Sequence, residues 1–463
     1  MLPVNRNSPD PVAAFIKAAC APRDSGHRTG TLEEATVLLA AHPDIATANI
    51  FVAAILSDET GVRRFIAADA GAATAKGGPY GWDALTYLCF SRYLRLDGSK
   101  SDSFVRTARA LLDAGASANT GWFESDHQPE PEWESAIYGA AGIAQHPELT
   151  RLLLERGADP NDGETPYHVP ETWNNRVLEV LVESGRLNAD SLSTMLLRKT
   201  DWHDSDGVRY LLAHGVDPNR GTHWGKTALH NAVLSDNGIE IFEALLDHGA
   251  NPALKASQPL RGVRTPGDRS VVSMAVRRGR RDVLELFKRR GLPIEVHGVE
   301  QLIAACALDD AAAVAALRDR QPELVGELLS DGGTLLAEFA GVGNTAGVGH
   351  LLDLGVPVGQ LYEQGDGYFG IARRSTALHV AAWRARHSTV RFLIERGADV
   401  NARDGQDRTP LMVAVKACVD SYWADWRKPD SVDALLRAGA SASGVQYPSG
   451  YPEVDELLKP HVM

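Results

Sequence analysis

The chain has 463 residues, 44% of them hydrophobic and 23% charged, and a formal net charge of −13. That acidic balance argues against general nucleic-acid binding, which needs a basic face, and no stretch approaches the ~18 uninterrupted apolar residues of a membrane span. The length exceeds one compact core of ordinary size, and the widely spaced Cys20, Cys89, Cys306 and Cys418 form neither a disulfide framework nor a zinc set, so they are expected as buried thiols in a reducing compartment.

In chain order, residues 11–20 and 32–41 have the apolar spacing of amphipathic helices, the second ended by Pro43. Residues 1–48 are therefore expected as an N-terminal helical cap. The opening "MLPVNRNSPDPVAAF" has no long apolar core behind a basic start, so a secretory signal is not expected and a cytoplasmic location is. From about residue 49 to 445 two phrases alternate. One starts a helix: "DALTYL" at Asp83, "SAIYGAA" at Ser135, "TALHNAV" at Thr227, "SVVSMAV" at Ser270, "TALHVAA" at Thr376 and "TPLMVAV" at Thr409. In each a Ser, Thr or Asp is placed to cap the first turn. The other ends a helix with glycine: Gly115, Gly157, Gly215, Gly249, Gly397 and Gly439, with weaker copies at Gly71, Gly185, Gly291 and Gly355. Glycine there suits a left-handed C-terminal residue. Segments 299–325 and 332–359 have the two-helix pattern with eroded turns. Residues 446–463 read as a short tail with one helical turn around Val454 to Leu458.

Two short helices and a turn cannot bury both faces alone, so neighbours must stack. The grammar resembles the ankyrin repeat family, most fully at 227–253 and 376–401, where T-x-L-H-x-A and G-A-[DN] follow in order. The resemblance implies an all-α ankyrin-repeat solenoid of about eleven helix-turn-helix repeats, with turn fingers along one edge. It also implies that His230 and His379 are structural.

The departures from a 33-residue period are informative. Three fingers are about twice the regular length: 120–134, 254–269 and 360–375. They carry Trp122, Phe123, Trp133, Arg264, Tyr362, Tyr368 and Phe369, and Trp82 and Trp224 stand on neighbouring fingers. Long loops in compact arrays are functional or disordered, and disordered inserts are poor in aromatics. These nine residues are the candidate binding set, with self-packing of the hairpins as the alternative. Insertions at 94–103 and 422–430 fall between paired helices, and Trp423 and Trp426 are expected to cover the last repeat. Pro170, four residues after Pro166, should leave a short helix and a kink near 162–190.

Other motifs have plain structural readings. "GVGNTAGVG" (341–349) mimics a nucleotide loop, but Gly343 falls in an interhelical turn and no strand precedes it. Asp201, His203, Asp204 and Asp206 resemble cation ligands, yet an Asp at that turn caps the next helix. The arginines of 255–290 reverse the global charge, but Arg277 to Arg281 should lie in a turn and Lys288 to Arg290 at a helix end, which splits the patch. No cofactor, metal or catalytic residue is assigned. The expected function is a monomeric protein-binding scaffold that uses the fingers and the concave helical face. The alternative is an enzyme or small-molecule or sugar binder closed over by the fingers, with Glu132, Glu134 and His127 as acid–base candidates.

Overall fold

The computed structural model describes residues 10–21, 28–125, 132–257, 268–421 and 426–462. The chain divides into two compact units, Met1–Arg220 and Gly221–Met463. Both are stacks of antiparallel helix pairs joined by turns and fingers, an all-α repeat architecture. At each helix-start phrase the Ser, Thr or Asp side chain accepts the backbone N–H three residues on. At the helix ends Gly115, Gly157, Gly215, Gly249, Gly397 and Gly439 have φ between 81° and 98°, where a Cβ would strain the turn.

The two histidines are buried structural pins. His379 Nδ1 lies 2.8 Å from Thr376 Oγ1, and its Nε2 donates to the Arg408 carbonyl at 2.9 Å, tying one repeat to the next finger. His230 makes the same cap with Thr227 at 2.8 Å. Burial lowers both pKa values, that of His230 to about 4, so the rings are neutral.

In the first unit the pairs run from Ile50–Ile55 with Glu59–Ala68 to Ala189–Asp201 with Ser205–Ala213. The insertion after Cys89 forms a short helix, Arg92–Leu96. The helix Glu164–His168 has only five residues and ends before Pro170. A truncated helix leaves carbonyls unpaired, and here Arg28 takes that of His168 together with two outside the helix. Its guanidinium donates to Gly142 O at 3.0 Å, His168 O at 2.8 Å and Glu171 O at 3.0 Å.

The second unit departs from the sequence reading in three places. A helix not expected from the repeat grammar, Glu323–Ser330, follows Ala311–Arg320. The helix Val299–Ala307 packs on Val271–Arg277, Glu323–Ser330 and Thr345–Asp353. The tail forms an eleven-residue helix, Pro452–Val462, and not one turn; Val454 and Leu458 are buried against Asp430–Arg437. Trp426 stays 45% exposed under the Arg386 guanidinium, and Trp423 lies outside the described residues.

Gly343 adopts φ +81° at the end of Gly332–Val342. Asn344 then caps Thr345–Asp353 and donates to Gly279 O and Ala307 O at 2.9 and 2.8 Å. The glycine-rich segment is an interhelical turn. Asp204 likewise caps Ser205–Ala213 and accepts from Lys199 Nζ at 2.7 Å and Asn175 at 2.9 Å.

Candidate functional site

The finger at 120–134 is a β-hairpin: Gly121–Glu124 pairs antiparallel with Glu132–Ser135, in the register Trp122↔Glu134, Phe123↔Trp133, Glu124↔Glu132. Alternate residues of a strand face opposite ways. One face, with Trp122, Glu124 and Glu134, turns to the helices. The other presents Phe123 and Trp133 directly opposite each other, 58% and 39% exposed. Trp122 stacks on buried Trp82 at 5.0 Å and meets the edge of Phe90 at 5.9 Å; Trp82 also stacks on Tyr80 at 4.6 Å. The candidate tryptophans therefore divide. Trp82 and Trp122 join the stack's own core, and Trp133 with Phe123 faces solvent.

Beneath the inward face lies a carboxyl-rich cluster. Burial, with Glu164 and Glu124 nearby, pushes the Glu134 carboxyl up to about 9. Asp162, bonded to Ser135 and Thr165, is raised by burial to about 6. Burial opposes a charge on His168, but Glu164 at 3.1 Å and Glu171 at 3.0 Å outweigh it and hold the ring at about 8. Glu171 is paired in turn with Arg198 and Arg28. At pH 7 the Glu134 carboxyl keeps its proton.

The second unit neutralises its buried acid differently. The Asp236 carboxylate sits in an interhelical turn and accepts Arg278 Nη2 at 2.7 Å and Arg384 Nη1 at 2.9 Å. Burial opposes its charge, but these guanidiniums and Arg280 hold the carboxyl well below its usual range. Arg278 also donates to Glu338 Oε2 at 2.7 Å. Burial, with Asp366 and Asp236 close by, raises Glu338 well above the ordinary carboxylate value; a protonated carboxyl still accepts that N–H. The finger at 360–375 folds onto this clamp. Tyr362 is buried with its hydroxyl 3.4 Å from Glu338, and Phe369 lies under the Arg384 and Arg278 guanidiniums at 3.9 and 5.1 Å. Trp383 Nε1 donates to the Phe369 carbonyl at 2.6 Å. Tyr368, 52% exposed, faces out. Helices Ala228–Leu234 and Ala377–Trp383 are thus bridged across the inner face of this unit. What stays open is a cleft of about 200 Å³ floored by Val233, Leu234, Met274 and Leu335.

Of the other candidates, Trp224 is half-buried against His223, ring centres 3.6 Å apart. Arg264 and His127 lie outside the described residues. Sequence reading missed the Asp236–Arg278–Arg384 clamp, although it placed Arg278 in a turn. The available signal was positional: Arg278 and Arg384 each stand one residue, and Asp236 two, after the first helix of a pair. It also missed Trp173, 69% exposed, which packs edge-on to Trp202 at 5.2 Å and donates to its carbonyl.

Two family models match parts of the chain. The family described as "Ankyrin repeat" matches residues 373–405, and "Ankyrin repeats (3 copies)" matches 195–256. Transient receptor potential cation channel subfamily A member 1 of Homo sapiens is 23% identical over 309 residues, 63% of this chain and 23% of that protein. The B-cell lymphoma 3 protein homolog of Mus musculus is 25% identical over 281 residues, 58% of this chain and 52% of that protein. The chain thus spans about a quarter and about half of these two relatives. Among solved structures, the human ASB11 ankyrin repeat domain is 21% identical and covers 59% of this chain and 96% of its own, with a TM-score of 0.25.

Proposed function

Proceeding from the premise that this is an ankyrin-repeat protein, a class whose repeats generally mediate protein–protein interaction, we propose that it is a scaffold whose first unit grips a protein partner at the finger edge. The observation that carries this reading is the hairpin register, which spends Trp122 on the stack and leaves Phe123 and Trp133 side by side in solvent. Paired exposed aromatics on a rigid strand are natural interface anchors, since buried aromatics dominate interface energies at roughly 2 kcal/mol or more each. The buried free thiols fit a reducing compartment such as the cytoplasm.

The test places a photo-reactive benzoylphenylalanine at position 133 in the intact protein, in the cells it comes from. A defined protein adduct that Phe123→Ala reduces at least tenfold supports the reading. Adduct formation indifferent to Phe123→Ala, or none at 133, removes it. The neighbouring Glu134, Asp162 and His168, with shifted pKa values, favour a second reading as an acid–base site; activity against a small substrate lost in Glu134→Gln would select it.

A further inference from the structure

Arg269 in the second unit has only through-space attraction to Glu300 and Asp331, neither of them in direct contact with its guanidinium. Arg269 precedes the cap of Val271–Arg277 and lines the cleft of about 200 Å³. It is only partly accessible. The nearby carboxylates make their contacts elsewhere, although Glu300, bonded to a neutral hydroxyl, keeps its charge. Asp268 pairs with Lys255 at 3.0 Å, Asp331 with Arg277, and Glu300 accepts the Ser273 hydroxyl at 2.7 Å. Among the described residues the Arg269 guanidinium makes neither a hydrogen bond nor an ion pair. Removing a guanidinium from water without a partner is costly, and Arg277 close by adds like-charge repulsion. A bound anion would supply the direct partner that the guanidinium lacks.

We infer that this cleft binds a carboxylate carried on a short apolar stem, with Arg269 as its bidentate receptor. The planar guanidinium fork matches a carboxylate geometrically. The exposed Gln364 amide and the Thr334 hydroxyl are further donors on the wall. The floor of Val233, Leu234, Met274 and Leu335 takes the stem. A phosphate dianion fits poorly, because Asp331 shares the wall and a second negative charge would face it. The carboxylate can belong to a peptide side chain or to a free small acid; the volume suits one such group. The site is remote in sequence from the Phe123–Trp133 pair and does not depend on that pair's role.

Calorimetric titration of the full chain with butyrate, with the capped peptide Ac-Leu-Glu-Leu-NH2 and with inorganic phosphate tests this. Saturable binding of either carboxylate, at least tenfold weaker in Arg269→Gln and unchanged in the exposed control Arg289→Gln, is expected. Binding of both probes identifies a small-acid site; binding of the peptide alone identifies a side chain of a bound chain. Phosphate binding as tight as the carboxylates, no carboxylate binding at millimolar concentration, or undiminished binding in Arg269→Gln overturns the assignment. A readout without any variant is modification by phenylglyoxal followed by peptide mass spectrometry. Butyrate should slow modification of Arg269 at least fivefold and leave Arg289 unaffected; equal rates with and without butyrate overturn the proposal.

Discussion

Glu134 in the first unit and Asp236 in the second are both buried carboxyls facing the inner helices, and they are neutralised in opposite ways. Glu134 is surrounded by Glu124, Glu132, Glu164 and apolar rings, so it keeps its proton up to about pH 9. Asp236 is ringed by Arg278, Arg384 and Arg280, so it stays ionised. The same repeat grammar thus accommodates a buried acid by protonation or by ion pairing, according to what neighbouring turns supply. The choice shapes each finger. In the first unit the hairpin stands on an aromatic stack and presents an outer face; in the second the finger lies down on the clamp and fills the inner face.

The largest effect should come from breaking the clamp. Asp236→Ala leaves Arg278 and Arg384 buried without their shared counter-charge, which should destabilise the second unit by about 3–5 kcal/mol. Hydrogen exchange of peptides in 228–286 against those in 147–183 checks it; equal protection in both would mean the arginines find other partners.

Next comes the ring stack. Trp122→Ala removes a half-buried indole from Trp82 and Phe90 and should cost roughly 2–3 kcal/mol, read as a lower denaturant midpoint. Trp133→Ala, one residue before the paired strand position, should stay within about 0.5 kcal/mol. Similar losses in both would show that the hairpin's two faces are not distinct in energy.

The pH dependences should have opposite signs. A carboxyl raised from 4.5 to about 9 binds its proton in the folded state only, so the first unit loses stability as pH rises between those values, by up to about 1.4 kcal/mol per pH unit. His168, raised from 6.5 to about 8, adds stability that is present below 6.5 and lost as pH rises through 8. Asp236 acts the other way: its contribution is present above the unfolded value of 3.8 and is lost as pH falls below it. Exchange protection at 132–171 should therefore drop between pH 6 and 8.5 after correction for intrinsic rates, and protection at 228–286 should not. Glu134→Gln should flatten the first profile; an unflattened profile would assign the dependence to other groups.

The smallest effect separates packing from recognition at the second finger. Tyr368→Ala should leave the melting midpoint within about 1 °C, since the ring is exposed. Phe369→Ala, which removes the face under two guanidiniums, should cost about 1–2 kcal/mol.

The sequence by itself determined the repeat grammar: capping residues, helix-ending glycines, the pinning histidines, the long fingers at 120–134 and 360–375 and the shortened helix before Pro170. These follow from local rules, because a cap, a left-handed glycine or a proline acts within one turn of chain. The placement of the finger aromatics needed the hairpin register, since a shift of one residue exchanges the faces, and nothing in 120–134 states which strand residues pair. The clamp needed more. Asp236 and Arg384 are 148 positions apart in the numbering and meet at 2.9 Å, a contact decided by how successive helices pack and not by any local pattern. The tail helix and Glu323–Ser330 were underestimated for a related reason: their apolar residues find burial only on neighbouring helices, and tertiary packing supplies most of the stability of short helices. The lack of a direct partner at Arg269 is likewise a tertiary fact, because Asp268 and Asp331 near it contact Lys255 of the finger and Arg277 of the following helix.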